Sequence, residues 1–274
     1  MRVLRLFFNF YLDASIHVAF SVVALYFITV GLLDGSTNWS LVGFLFCSTI
    51  VCYNFIKYGV EAKKYIIVRS SYQKAIQFFS FLAFFATLFF FFKLDTKLWS
   101  AIVVFAFLSA LYAVPFLPKA KNLRSLDGTK IYLVALVWTG CTLILEVLDS
   151  ELGFTLNILV LSFQRFLLVI VLILPFDIRD LDHDSKELKT IPQRLGIVKT
   201  KMFGYILLIL FFSLTFFKDG FTTLEVTYRC LASFLLGAGI FMTKKEQPKY
   251  FASFWIEAIP MVLLLILKLI IPVV

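Results

Sequence analysis

The sequence predicts an all-α, polytopic membrane protein with nine transmembrane helices in one domain. Three observations predict it. Of 274 residues, 61% are hydrophobic, against roughly 45–50% in soluble domains. The apolar residues gather in nine runs, each about 17–22 residues and so able to span ~30 Å of hydrocarbon as a helix. The charged residues, 16% of the chain, fall mostly between the runs and favour alternate loops. Open strands find no hydrogen-bond partner in lipid, which leaves helices.

The runs lie at 14–33, 38–57, 75–94, 98–117, 131–148, 156–176, 202–217, 225–242 and 251–272. Arg2 and Arg5 before the first run imitate a secretory leader. The run is too long for one and lacks a small-residue cleavage site, so it reads as a retained helix. Residues 1–13 read as an amphipathic lead-in along the interface. The third run contains FFSFLAFFATLFFFF, residues 78–92, which suits lipid contact or packing; some of these rings could also line an apolar pocket. Gly140, Gly237 and Gly239 allow close helix packing. The sixth run carries Gln164 and Arg165. An arginine there snorkels outward or pairs, with Glu146 the partner across the hairpin. Glu257, early in the ninth run, is an interface cap or a cavity wall. The loops after runs two and six occupy equivalent positions, which suggests halves at 14–117 and 131–242 plus a last helix at 251–272.

Cys47, Cys52, Cys141 and Cys230 all fall inside runs without metal-type spacing. They read as small buried hydrophobes. With only His17 and His183, a histidine-rich metal site is excluded.

Of the 26 Lys and Arg residues, 20 belong to the N-terminus and the loops after runs two, four, six and eight, and 5 to the other side. The positive-inside rule puts the 20 in the cytoplasm, with the N-terminus inside and the C-terminus outside. Topology and anionic headgroups account for the net charge of +9. Short loops and lipid-buried spans exclude a nucleic-acid partner.

Topology does not account for PFDIRDLDHDSKELKTIPQRLG, residues 175–196, which sets four aspartates directly after LLVIVLILPF. If the sixth helix runs on past Pro175, Asp177, Asp180 and Asp184 project at about 0°, 300° and 340°. Asp182, at about 140°, and His183, at about 240°, point away. Three carboxylates on one face at a helix end suit Mg²⁺, which takes a few carboxylates, waters and phosphate oxygens. The alternative is a solvated polar loop.

This DxxDxxxD run, followed by KELKTIPQRLG, resembles the second aspartate-rich motif of the UbiA-type intramembrane prenyltransferases. That resemblance implies a nine-helix bundle with active-site loops after helices two, four, six and eight on the cytoplasmic side. It implies Mg²⁺-dependent transfer of a prenyl group from a polyprenyl diphosphate to a small acceptor, such as an aromatic or quinone precursor. Asp177, Asp180 and Asp184 match the metal-binding carboxylates. LYAVPFLPKAKNLR, residues 111–124, resembles the family's Tyr…Lys segment. Tyr112, Lys119 and Arg124 are then diphosphate contacts; the alternative is an interfacial tyrosine and two inside charges.

The first motif, NDxxDxxxD, corresponds to NFIKYGVEA, residues 54–62. Asn54 matches, but the aspartate positions hold Phe55, Tyr58 and Ala62, and Glu61 is one residue out of phase. Two readings follow. Lys57, with Lys63 and Lys64 nearby, supplies the charge a second Mg²⁺ would bring, as a point-charge phosphate binder. Alternatively, the protein binds a lipid diphosphate without chemistry, as a membrane partner. A transporter reading rests on Arg165 alone.

Overall fold

The computed structural model describes residues 2–59, 70–113, 128–185 and 188–270. Lys63, Lys64, Lys119 and Arg124 lie outside them. Ten helices follow in order. They are α1 (Arg2–Asp13), α2 (Ile16–Leu32), α3 (Trp39–Asn54), α4 (Ser71–Phe91), α5 (Thr96–Ala113), α6 (Lys130–Asp149), α7 (Leu156–Arg179), α8 (Ile191–Ser213), α9 (Thr223–Met242) and α10 (Ile259–Ile270). Eight spans are long and apolar enough to cross a membrane; the ninth is the pair α1 and α2, bent by 55°. The bend falls on Ser15, whose φ of 60° is left-handed.

Side-chain caps start several helices. Asn38 accepts from the amides of Ser40 and Leu41 ahead of α3, and Ser70 from that of Gln73 ahead of α4. Such caps satisfy amides that the first helical turn leaves bare. α8 begins eleven residues before the predicted apolar run, at Ile191 rather than 202. Pro192 and the Gln193 side chain, which accepts from the Thr190 amide at 3.0 Å, start it, and Gly196 (φ 75°) then kinks it. The first turn is polar, so hydropathy misses it.

α7 is the central helix. Val169, Ile170, Val171 and Leu174 are at most 2% exposed. It packs on α6, α8 and α9 and on the π-helical turn Phe251–Ile256 that leads into α10. α10 returns to α2, and α5 meets α6, so the spans close on one another around α7. The outer faces meet lipid: Phe78, Phe81, Phe85, Phe89 and Phe92 of the aromatic run stand exposed. Among the described residues the four cysteines are free thiols.

Glycines, among them Gly43 and Gly140, allow helices to touch. A Cβ on Gly43 would meet the Phe90 ring at 2.5 Å, and one on Gly140 the Phe105 ring at 2.2 Å. Gly140→Ala is therefore expected to destabilise the bundle by about 1–3 kcal/mol, the usual range for overpacking. The readout is the thermal midpoint in detergent. Adding Phe105→Ala should restore part of the loss, and no restoration would disprove the contact.

Arg165 does not reach Glu146, nor does it snorkel outward. It is 2% exposed and donates to Leu25 O at 3.0 Å, Thr142 Oγ1 at 2.8 Å and Thr29 Oγ1 at 2.9 Å. Glu146 accepts instead from Ser150 at 2.7 Å. A π-helical turn at Gly140–Ile144 precedes Glu146 on α6 and carries Thr142, which the arginine meets. Its extra residue rotates everything after it on α6. The arginine therefore braces α2, α6 and α7 and lines no pathway.

Candidate active site

The aspartate segment does not form one helical face. α7 keeps Pro175 within it and ends at Arg179, with Asp180 as its C-cap. The chain then turns: the amides of His183 and Asp184 both donate to Asp180 O, at 2.9 and 2.8 Å. The turn brings Asp184 back toward Asp177. Their carboxylates close on one ammonium, that of Lys130 at the start of α6, at 3.0 Å from Asp177 and 3.4 Å from Asp184. Asp177 is 1% exposed. A carboxylate that deep in a membrane protein needs a partner, and Lys130 is that partner.

Asp180 faces elsewhere. Its two oxygens take a fork from its neighbour Arg179, Nε at 2.7 Å and Nη2 at 3.0 Å. Asp182 pairs with Lys245 at 2.8 Å on the exposed surface. The predicted trio is thus a pair plus one. Among the described residues no three His, Cys, Asp or Glu side chains stand close enough to hold an ion together. Mg²⁺ keeps several waters and uses one or two carboxylates with phosphate oxygens. Asp177 and Asp184 fit one such ion, in exchange for the Lys130 ammonium.

The first-motif residues sit at the end of α3. Asn54 is fully buried and committed to the fold: it accepts from Ser15 Oγ (2.8 Å) and donates to Ala14 O (3.1 Å) and Ser80 Oγ (2.8 Å). It pins the α1–α2 bend to α4, which leaves it no face for a substrate; the substrate contact expected at Asn54 is corrected on that ground. Lys57 lies in a π-helical turn, Phe55–Gly59. Its ammonium donates to Leu12 O at 3.2 Å and Ser15 Oγ at 2.9 Å, capping the carbonyl end of α1. Tyr58 and Tyr72 secure Asp13 beside it.

Tyr112, buried near the end of α5, lines an apolar cavity of about 90 Å³ with Tyr53, Ser109, Val134 and Trp138. Trp138 Nε1 donates to Tyr53 OH at 3.0 Å. Leu133, beside Val134 and one helical turn beyond Lys130 on α6, lines the cavity as well. The cavity therefore lies beside the Lys130–carboxylate cluster, with apolar walls and a charged neighbour.

No family model matches the chain, and no curated protein matches it closely. A solved structure of digeranylgeranylglyceryl phosphate synthase, an enzyme studied in membranes, does superpose on it. The alignment covers 98% of each chain at 16% identity, with a TM-score of 0.57. The fold is that of a UbiA-type prenyltransferase.

In a UbiA-type fold, two residues at the second motif's carboxylates escape sequence reasoning as site candidates. Lys130 registered as one inside charge among many, since nothing local ties it to Asp177 forty-seven positions on. Arg179 stands inside the DxxDxxxD run but is not one of its carboxylates. Glu257, read from sequence as an interface cap or a cavity wall, has its carbonyl oxygen held by Ser21 of α2.

Proposed function

We propose that the protein transfers a prenyl group from a polyprenyl diphosphate to a small acceptor inside the membrane. One observation carries the reading: within this fold, Asp177 and Asp184 converge on a single cation position beside the apolar cavity at Tyr112. The prenyl tail would occupy apolar space and the diphosphate the charged end. Asp177 and Asp184 are the proposed holders of one Mg²⁺. The ion, when bound, would supply positive charge to the departing diphosphate. Lys130, released from its carboxylates, would then be free to hydrogen-bond a diphosphate oxygen. Lys119 and Arg124, in the sequence between α5 and α6, and Lys57 are the further proposed contacts, with Tyr112 at the mouth. Asp180 orients Arg179 at the same helix end. The motif loops and the N-terminus would face the cytoplasm, and the C-terminus the other side.

The absence of acids from NFIKYGVEA, and the engagement of Lys57 with α1, favour a second reading, a lipid-diphosphate binder without chemistry. One assay separates the two. Diphosphate release is followed from farnesyl and geranylgeranyl diphosphate, with Mg²⁺ or EDTA, in membranes supplying candidate acceptors. Transfer predicts Mg²⁺-dependent release. Lys130→Met should weaken the donor by about tenfold, equivalent to ~1.4 kcal/mol, and Asp180→Ala should act less than Asp177 variants. Donor binding without release would support the binder. Lys57→Ala indistinguishable from wild type would remove Lys57 from the site.

A further inference from the structure

A groove of about 450 Å³ runs between α9 and the segment that leads into α10. Ligand pockets commonly hold roughly 300–1,000 Å³. Leu235, Gly239 and Met242 form one wall. At i, i+4 and i+7 they share a face of α9, and they extend about 10 Å along it. Tyr250, Trp255 and Ile259 form the other wall. Met242 and Trp255 are 61% and 65% exposed, so the groove opens outward, to lipid. It shares no lining residue with the cavity at Tyr112.

One end of the groove is basic. Lys201 of α8 donates to Phe241 O at 3.0 Å, beside the lining residue Met242. Lys244 lies two residues past Met242 and is exposed. Lys249 stands between the lining residues Pro248 and Tyr250, its ammonium 5.2 Å from the Tyr250 ring centre. That ring is fixed: its hydroxyl donates to Asn9 Oδ1 at 2.8 Å, and Phe8 meets it edge-on. Nearby acids do not neutralise this end. Asp182 is paired with Lys245 at 2.8 Å, and Glu246 is the one acid between Lys244 and Lys249. Among the described residues no carboxylate lies within ion-pair distance of Lys201, Lys244 or Lys249. Topology asks only that lysines lie on one side of the membrane. It does not ask that they border an apolar groove.

We propose that the groove binds one anionic glycerophospholipid, an acyl chain against α9 and the phosphate at the Lys201, Lys244 and Lys249 ammonium groups. Apolar walls take a chain, and ammonium groups are point-charge phosphate binders. A zwitterionic lipid brings its own cation to the lysines and is disfavoured. The site does not depend on prenyl transfer. Its basic segment also touches the second motif, where Gln247 Nε2 donates to Pro175 O at 3.2 Å. A seated lipid therefore steadies the end of α7.

The test uses the full-length protein in phosphatidylcholine nanodiscs. A small share of the lipid is phosphatidylglycerol or phosphatidylcholine brominated part-way along one acyl chain, and bromine quenches tryptophan at close range. Trp255 is one of four tryptophans; its signal is the difference between wild type and Trp255→Phe. Brominated phosphatidylglycerol should half-quench Trp255 at a mole fraction about tenfold or more below that of brominated phosphatidylcholine, since each lysine near a headgroup contributes about fivefold. Lys244→Gln with Lys249→Gln should remove most of that advantage. Both lysines are exposed, so the thermal midpoint should hold. Lys74→Gln with Lys93→Gln, an equal loss of charge elsewhere, should leave the advantage intact. Ala238→Phe, which fills the groove, should weaken quenching by both lipids. Equal half-quenching by the two lipids in wild type would reduce the groove to ordinary lipid contact and overturn the proposal. So would an advantage that survives loss of Lys244 and Lys249, or one that falls equally with Lys74 and Lys93. Relief of quenching by inorganic phosphate would make the site one for a free anion. Relief by geranylgeranyl diphosphate, at matched mole fraction, would make it a donor passage. Either result also overturns the proposal.

Discussion

Asp177→Asn should lower prenyl transfer by about 10²–10³-fold, the loss typical when one preorganised charge-stabilising group is removed. The substitution is nearly isosteric and its site is 1% exposed, so packing survives while the charge goes. Lys130 would be left with Asp184 alone, at 3.4 Å. The ion position would lose half its carboxylates and its shielded member. Asp182→Asn is the matched control. Its pairing with Lys245 is at the exposed surface, where such pairs contribute about 0–1 kcal/mol, and turnover should hardly change. Diphosphate release at saturating donor and Mg²⁺ measures both. An Asp177→Asn protein with wild-type turnover would move the chemistry to another part of the bundle.

Glu225→Ala should be the most damaging single change to stability. Glu225 opens α9 and closes a capping box with Thr222, each backbone amide donating at 3.2 Å to the other's side chain. It also contacts the Lys218 ammonium and lies 3.7 Å from Arg229. Arg229 is fully buried, and its other partner is Gln164 Oε1, at 2.8 Å from Nη2 and 3.0 Å from Nε. Removal of Glu225 leaves a buried guanidinium without a carboxylate, a change that costs about 3–5 kcal/mol, and deletes a cap that contributes about 1 kcal/mol. The thermal midpoint in detergent should fall sharply. Adding Arg229→Met should recover part of the loss, because the stranded charge goes with it. A single variant that melts with wild type would show that Gln164 alone satisfies Arg229.

The order and approximate bounds of the spans were legible because hydropathy reports membrane depth directly. What the sequence misplaced was rotation about helix axes. Asp184 belongs with Asp177, as expected, but a turn after Arg179 brings it there and not a continued helix. Asp180, the expected middle member, is drawn off by the guanidinium next to it. Glu146 and Arg165 look like partners in the sequence, yet a π-turn precedes Glu146 on α6, and neutral acceptors on α2 and α6 take the arginine. Helical wheels assume about 100° per residue; π-turns at 55–59, 140–144 and 251–256 break that assumption. Lys130 was out of reach for another reason: its significance depends on Asp177 and Asp184, brought near only by the closed bundle. The α8 start was hidden by its polar cap, a local signal that outranks hydropathy once Thr190, Pro192 and Gln193 are read together.

The contact between α10 and α2 also sets an order of assembly. A chain is made from its N-terminus, and early segments wait for late ones. His17 and Ser21 of α2 find their acceptors on Phe254 and Glu257, some 236 residues later in synthesis. Until that last segment emerges, the first span sits in the bilayer with two polar side chains lacking those acceptors. A ribosome-bound intermediate lacking the segment from Phe251 onward should therefore be a target for membrane chaperones or quality-control proteases, while the finished chain is not.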